Sequence, residues 1–116
     1  MKMLHVTIQT KYFEETVRFY QEIAGLAIQR DMRPMGRNMV FLADGKDDTK
    51  VEIIERPDAD NAGNRFLSIG FLTEDVQKKR EELAALGYEV TEMVQPSPGV
   101  QFFFVKDPAG VMVQFM

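Results

Sequence analysis

Val100–Met116 reads VQFFFVKDPAGVMVQFM. Gln101 to Val105 and Val111 to Phe115 are rich in aromatic and β-branched residues, which favours two extended runs. Asp107-Pro108-Ala109-Gly110 stands between them. Asp first, Pro second and Gly fourth is the preference of a type I turn, because Pro presets its φ and Asp accepts a local backbone hydrogen bond. The stretch predicts a hairpin. Its last strand holds Gln114 among apolar neighbours. A polar side chain there must find a partner or face a cavity.

Working outward, the second half of the chain completes a unit around that hairpin. Phe66 to Leu72 reads as a strand. Thr73 is a plausible N-cap, with Glu74 and Asp75 suited to the first turn of a helix. Val76, Leu83 and Leu86 form its apolar face, Lys78 to Glu82 its solvated one, and Gly87 its end. Tyr88 to Val94 is predicted as a strand and Gln95 to Gly99 as a stiff loop.

The first half repeats this order. Met3 to Gln9 alternates as a strand does. Phe13, Val17, Tyr20 and Ala24 fall at helical spacing. Thr10 suits the N-cap and Gly25 the C′ position. Strands are expected over Leu26 to Met32, Asn38 to Leu42 and Val51 to Glu55, with Asp44-Gly45 marking a hairpin. Glu52 lies inside an apolar run. Arg56 to Arg65, RPDADNAGNR, is polar, aperiodic and broken by Pro57 and Gly63, the composition of a linker. The halves superpose at a period of about 62 residues. His5 then falls on Ser68, Gly25 on Gly87 and Glu52 on Gln114.

The expected class is α+β: a single domain over residues 1–116, built of module 1–55, linker 56–65 and module 66–116. Each module is a βαβββ unit with one apolar sheet face, and two such units make a curved eight-stranded sheet with the helices outside. The net charge of −4, with no run of Lys and Arg, excludes a phosphate footprint for nucleic acid. There is no cysteine, hence no disulfide framework and no thiolate ligand. No apolar run reaches the ~18 residues that span a bilayer. The N-terminal Met-Lys-Met-Leu-His lacks a signal-peptide pattern, so the expected compartment is the cytoplasm. Eight Met and nine Phe fit an adaptable apolar pocket, and fit an ordinary core as well. Asp44, Asp47 and Asp48 lack EF-hand spacing and read as a solvated turn, and no phosphate loop, GxSxG or HExxH motif occurs.

Four local signatures carry a family resemblance. They are His5-Val6, then Phe19-Tyr20 with Ala24-Gly25-Leu26, then Ile69-Gly70-Phe71 before Glu74-Asp75-Val76, and finally Asp107-Pro108-Ala109-Gly110. In this order and at these separations, over nearly the whole chain, the sequence resembles the vicinal oxygen chelate superfamily. That group includes glyoxalase I, bleomycin-resistance proteins and extradiol dioxygenases. The resemblance implies a small-molecule ligand, a homodimer, and in the metal enzymes one ligand from each of four strands for a divalent cation such as Zn, Ni, Fe or Mn.

The matching positions are His5, Glu52, Ser68 and Gln114. Ser68 replaces the usual His and Gln114 the usual last Glu. A serine hydroxyl is a poor ligand near neutral pH. A glutamine carbonyl can coordinate, but the amide accepts no proton. Three readings stay open. His5, Glu52 and Gln114 form a weak metal site, with Glu52 the catalytic base of a lyase, isomerase or dioxygenase. Or the metal is lost and these positions, with Ser68, Phe102, Phe104 and Met112, line a binding cup. Or His5 is structural and Glu52 pairs with Lys50 or Arg18. The expectation carried forward is the second, without glyoxalase I turnover.

Overall fold

The computed structural model describes residues 1–116, with positions 61 and 63 described by backbone alone. The chain divides into two units, Met1–Asn61 and Ala62–Met116.

The first unit holds β1 (His5–Thr10), α1 (Phe13–Glu22), β2 (Ala27–Asp31), β3 (Met39–Ala43) and β4 (Lys50–Glu55). Its sheet has the order β1-β4-β3-β2. β1 runs parallel to β4, while β3 is antiparallel to both β4 and β2. Alternation explains the two faces. Val40, Leu42, Val51 and Ile53 are buried on one, together with Ile8 and Thr10 of β1. α1 covers that face with Phe13, Thr16, Val17, Phe19 and Tyr20. His5, Thr7, Phe41, Lys50 and Glu52 occupy the other.

The second unit holds β5 (Ser68–Phe71), α2 (Val76–Ala85), β6 (Val94–Ser97), β7 (Val100–Lys106) and β8 (Met112–Phe115). Its order is β5-β8-β7-β6, with β5 parallel to β8. Phe103, Val105, Val113 and Phe115 are buried with Leu83 of α2. Ser68, Phe102, Phe104, Met112 and Gln114 lie on the opposite face. The expected turn forms: Gly110 N–H donates to Asp107 O at 3.1 Å. Asp107 Oδ1 accepts from Val111 N at 2.8 Å, so the buried carboxylate locks the hairpin.

The α+β class and the two βαβββ modules stand, and the eight strands hydrogen-bond as two sheets of four. Local assignments shift in five places. α1 has Tyr12 at its N-cap without a side-chain bond, and Thr10 Oγ1 accepts the Tyr12 N–H at 3.0 Å just before the helix. α2 is capped by Asp75, whose Oδ1 accepts from Lys78 N at 3.0 Å, so Thr73 and Glu74 precede the helix. Leu86 is exposed instead of lying on an apolar face. The second strand of the second unit is Val94–Ser97, where a stiff loop was expected, and Tyr88 to Met93 keeps one bridge, Val90 to Val105. β6 lies at the edge of the sheet beside β7, and an edge strand is where a proline such as Pro96 is tolerated. Asn61–Phe66, across the end of the expected linker and the first residue of the expected strand, forms a 3-10 helix. Among the described residues no helix is long and apolar enough to cross a membrane.

Candidate ligand-binding site

In the first unit, parallel pairing sets Thr7 opposite Glu52, and antiparallel pairing sets Phe41 on its other side. All three side chains share the open face. Glu52 is 8% exposed, so its carboxylate has lost most of its water and needs donors. Thr7 Oγ1 donates to Glu52 Oε1 at 2.5 Å. His5 Nε2 lies 3.6 Å from the same oxygen, an ion-pair distance and longer than a hydrogen bond. The His5 ring stands edge-on to Phe41, with centroids 5.8 Å apart. Lys50 does not pair with Glu52: its Nζ donates to the backbone carbonyls of Lys46 and Asp48 at 2.9 and 2.8 Å. No Arg18 pair with Glu52 forms among the described residues. The structural reading that paired Glu52 with Lys50 or Arg18 is therefore corrected: register gives Glu52 to Thr7 and His5.

An open hollow of about 370 Å³ adjoins His5, bordered also by Gln29, Arg30, Phe41, Lys46 and Lys50. The sequence reading missed Thr7 as the Glu52 donor, and missed Phe41, Gln29 and Arg30. Phe41 had a legible signal, since alternation from the buried Val40 and Leu42 turns it to the open face. Thr7 had none, because its partner is distant in the chain.

In the second unit, Gln114 stands opposite Gly70 and Phe104, and Ser68 opposite Met112. Gly70 offers no side chain. A Cβ there would sit 3.2 Å from Gln114 Oε1, so the glycine leaves the amide its room. Among the described residues neither Gln114 nor Ser68 makes a side-chain hydrogen bond. Phe102 and Phe104 meet edge to face at 5.9 Å.

The metal question turns on donors. Within the first unit His5 and Glu52 supply one imidazole nitrogen and one carboxylate oxygen, and that oxygen already accepts from Thr7. Among the described residues no three His, Asp or Glu side chains gather as a metal cluster. A divalent metal site takes three or four protein ligands as a rule. These two donors alone do not fit one. What the pair can do is hydrogen-bond a ligand or take up a proton at the Glu52 carboxylate.

Solved structures with the same arrangement are known. The trypanothione-dependent glyoxalase I of Leishmania major superposes with a TM-score of 0.77 at 22% identity, over 100% of this chain and 86% of that one. A glyoxalase family protein from Enterococcus faecalis gives 0.73 at 22%, over 98% and 95%. A glyoxalase I mutant from Zea mays gives 0.78 at 25%, over 98% of this chain and 44% of that longer one. No curated protein matches the sequence. The family model described as Glyoxalase/Bleomycin resistance protein/Dioxygenase superfamily matches residues 2–115. With that match over almost its whole length, the chain belongs to the glyoxalase/bleomycin resistance protein/dioxygenase superfamily.

Proposed function

We propose that the protein binds a small organic molecule on its open sheet faces, with a degenerate metal site and no metal-dependent glyoxalase I turnover. One observation carries this reading. The Glu52 carboxylate of the first unit accepts from Thr7 and lies 3.6 Å from the His5 imidazole, while the matching strand of the second unit carries Gln114, an amide that cannot accept a proton. The Phe102 and Phe104 rings, with Met112 and Ser68, supply an apolar surface with one hydroxyl for the ligand. The protein works as a homodimer, a reading supported by open edge strands, whose free backbone groups need cover, and by exposed Leu72.

Elemental analysis of protein purified without chelator tests the first part. Metal well below one equivalent in both the native chain and His5→Ala is expected. One full equivalent that His5→Ala loses would overturn it, as would a robust rate with the glutathione hemithioacetal. Light scattering should give twice the 13.3 kDa chain mass, and a monomer mass would end the dimer reading.

The second reading is a metal-dependent lyase, isomerase or dioxygenase with His5, Glu52 and Gln114 as ligands to Zn, Ni, Fe or Mn. The approach of His5 to Glu52 favours it, and the same elemental analysis decides between the two.

A further inference from the structure

The pairing of β2 with β3 contains an irregularity. Ile28 stands opposite Leu42, but the next pair is Arg30 with Phe41, so Gln29 is an extra residue. A regular ladder would set Gln29 against Phe41 and Arg30 against Val40. Val40 is fully buried beneath α1, where a guanidinium has no place. The bulge re-aims the strand. It brings Arg30 onto the open face beside Phe41 and leaves Gln29 bordering the same hollow. One residue on, Asp31 is opposite Val40 and is held by Arg33, which also reaches Glu14 of α1 at 3.3 Å.

The result is a row across the sheet: Arg30, Phe41, Glu52, Thr7. Neighbouring strands lie about 4.8 Å apart. A ring resting on Phe41 therefore has a guanidinium about one strand spacing away, while the Glu52 carboxylate on the far side is buried and bonded to Thr7. Around it the hollow is bordered by Arg30, Lys46 and Lys50 and by no Asp or Glu, in a chain whose net charge is −4. Lys50 is held by backbone carbonyls. Among the described residues, the side chains of Arg30 and Lys46 have no ion-pair or hydrogen-bond partner.

We propose that this hollow binds a small aromatic acid, its ring on Phe41 and its carboxylate against Arg30 and Lys46. The inference rests on reading the first unit's open face as a ligand site, and adds the class of ligand. Two physical facts support it. A guanidinium presents a planar fork that matches a carboxylate in two hydrogen bonds. Aromatic rings pair favourably in offset or edge-on contact, and the His5 ring already closes one side of Phe41.

The test is a fluorescence anisotropy titration of the full chain with 2-naphthoate, in the absence of any tryptophan signal from the protein. Methyl 2-naphthoate serves as the neutral counterpart. Native protein should bind the acid about tenfold more tightly than the ester, a difference of about 1.4 kcal/mol. Arg30→Gln, at an exposed position, should remove that preference without changing the melting temperature, and Lys46→Gln should reduce it. Added salt should weaken the acid and not the ester. Equal binding of acid and ester, with both weakened by Phe41→Leu, would overturn the anionic inference and leave the ligand-site reading intact. Preference for the acid that survives both Arg30→Gln and Lys46→Gln would also overturn it. Failure of both compounds to bind at millimolar concentration would overturn it too, and the function reading would then stand or fall on its own metal analysis.

Discussion

The first unit buries five side chains of its helix, whereas the second buries Leu83 of its own. Both have the order βαβββ and the same pairing, with the first strand parallel to the last. The contrast comes from composition. FEETVRFYQE places large apolar groups on one face of α1, and Phe19 and Tyr20 meet there edge to face at 5.3 Å. VQKKREELAA has few to offer, and α2 compensates at the surface, where Lys79 lies over the Phe115 ring at 5.2 Å. The open faces differ in the same sense. Glu52 is tied down by Thr7, and its counterpart Gln114 faces a glycine. One architecture thus carries a charged, hydrogen-bonded face in one unit and an aromatic one in the other.

The largest way to break this comparison is through the helices. Phe19→Ala should destabilise by about 3–5 kcal/mol, the cost of emptying a filled core site. Leu86→Ala, at the exposed end of α2, should stay within about 0.5 kcal/mol. Denaturant unfolding measures both, and similar losses would mean that α2 packs as α1 does. Next comes the Glu52 anchor. Thr7→Val keeps the shape and removes the donor, so it should cost about 1–3 kcal/mol. If it costs nothing, Glu52 is no more constrained than Gln114.

Asp75→Ala removes the only side-chain cap that either α-helix has and should cost about 1 kcal/mol in thermal unfolding. A neutral result would show that α2, like α1, tolerates an uncapped start. The smallest effect concerns acid. The side-chain hydrogen bond from Arg33 holds the Asp31 carboxyl below its usual range, helped by the Arg33 backbone N–H. A folded pKa below the unfolded one adds stability that is fully present above about pH 4. That contribution fades as pH falls through the folded pKa. Asp31→Asn should therefore narrow the gap from native protein as the pH is lowered below 4, and a gap that widened instead would refute the assignment.

Much of this was legible in the linear sequence. The DPAG turn was, because Pro and Asp act on their own backbone neighbours. The faces of β4 and β8 were, because a polar residue in an alternating apolar strand declares which side it is on. The caps were legible only in part. Several residues near each helix start can accept an N–H, and the chain's entry angle selects among Thr10, Tyr12, Thr73 and Asp75. The strand Val94–Ser97 was not legible, since Pro96 and Ser97, followed by Pro98 and Gly99, read as a loop until β7 supplies an edge.

Sequence alone determined the duplicated order of elements and the residue types set into their strands, because periodicity and turn sterics act within a few residues. Tertiary structure alone decided that Thr7 holds Glu52 across a separation of 45 residues, and that one extra residue at Gln29 brings Arg30 onto the open face. Both depend on register between strands far apart in the chain, and register is set by the packing of the whole sheet against its helix.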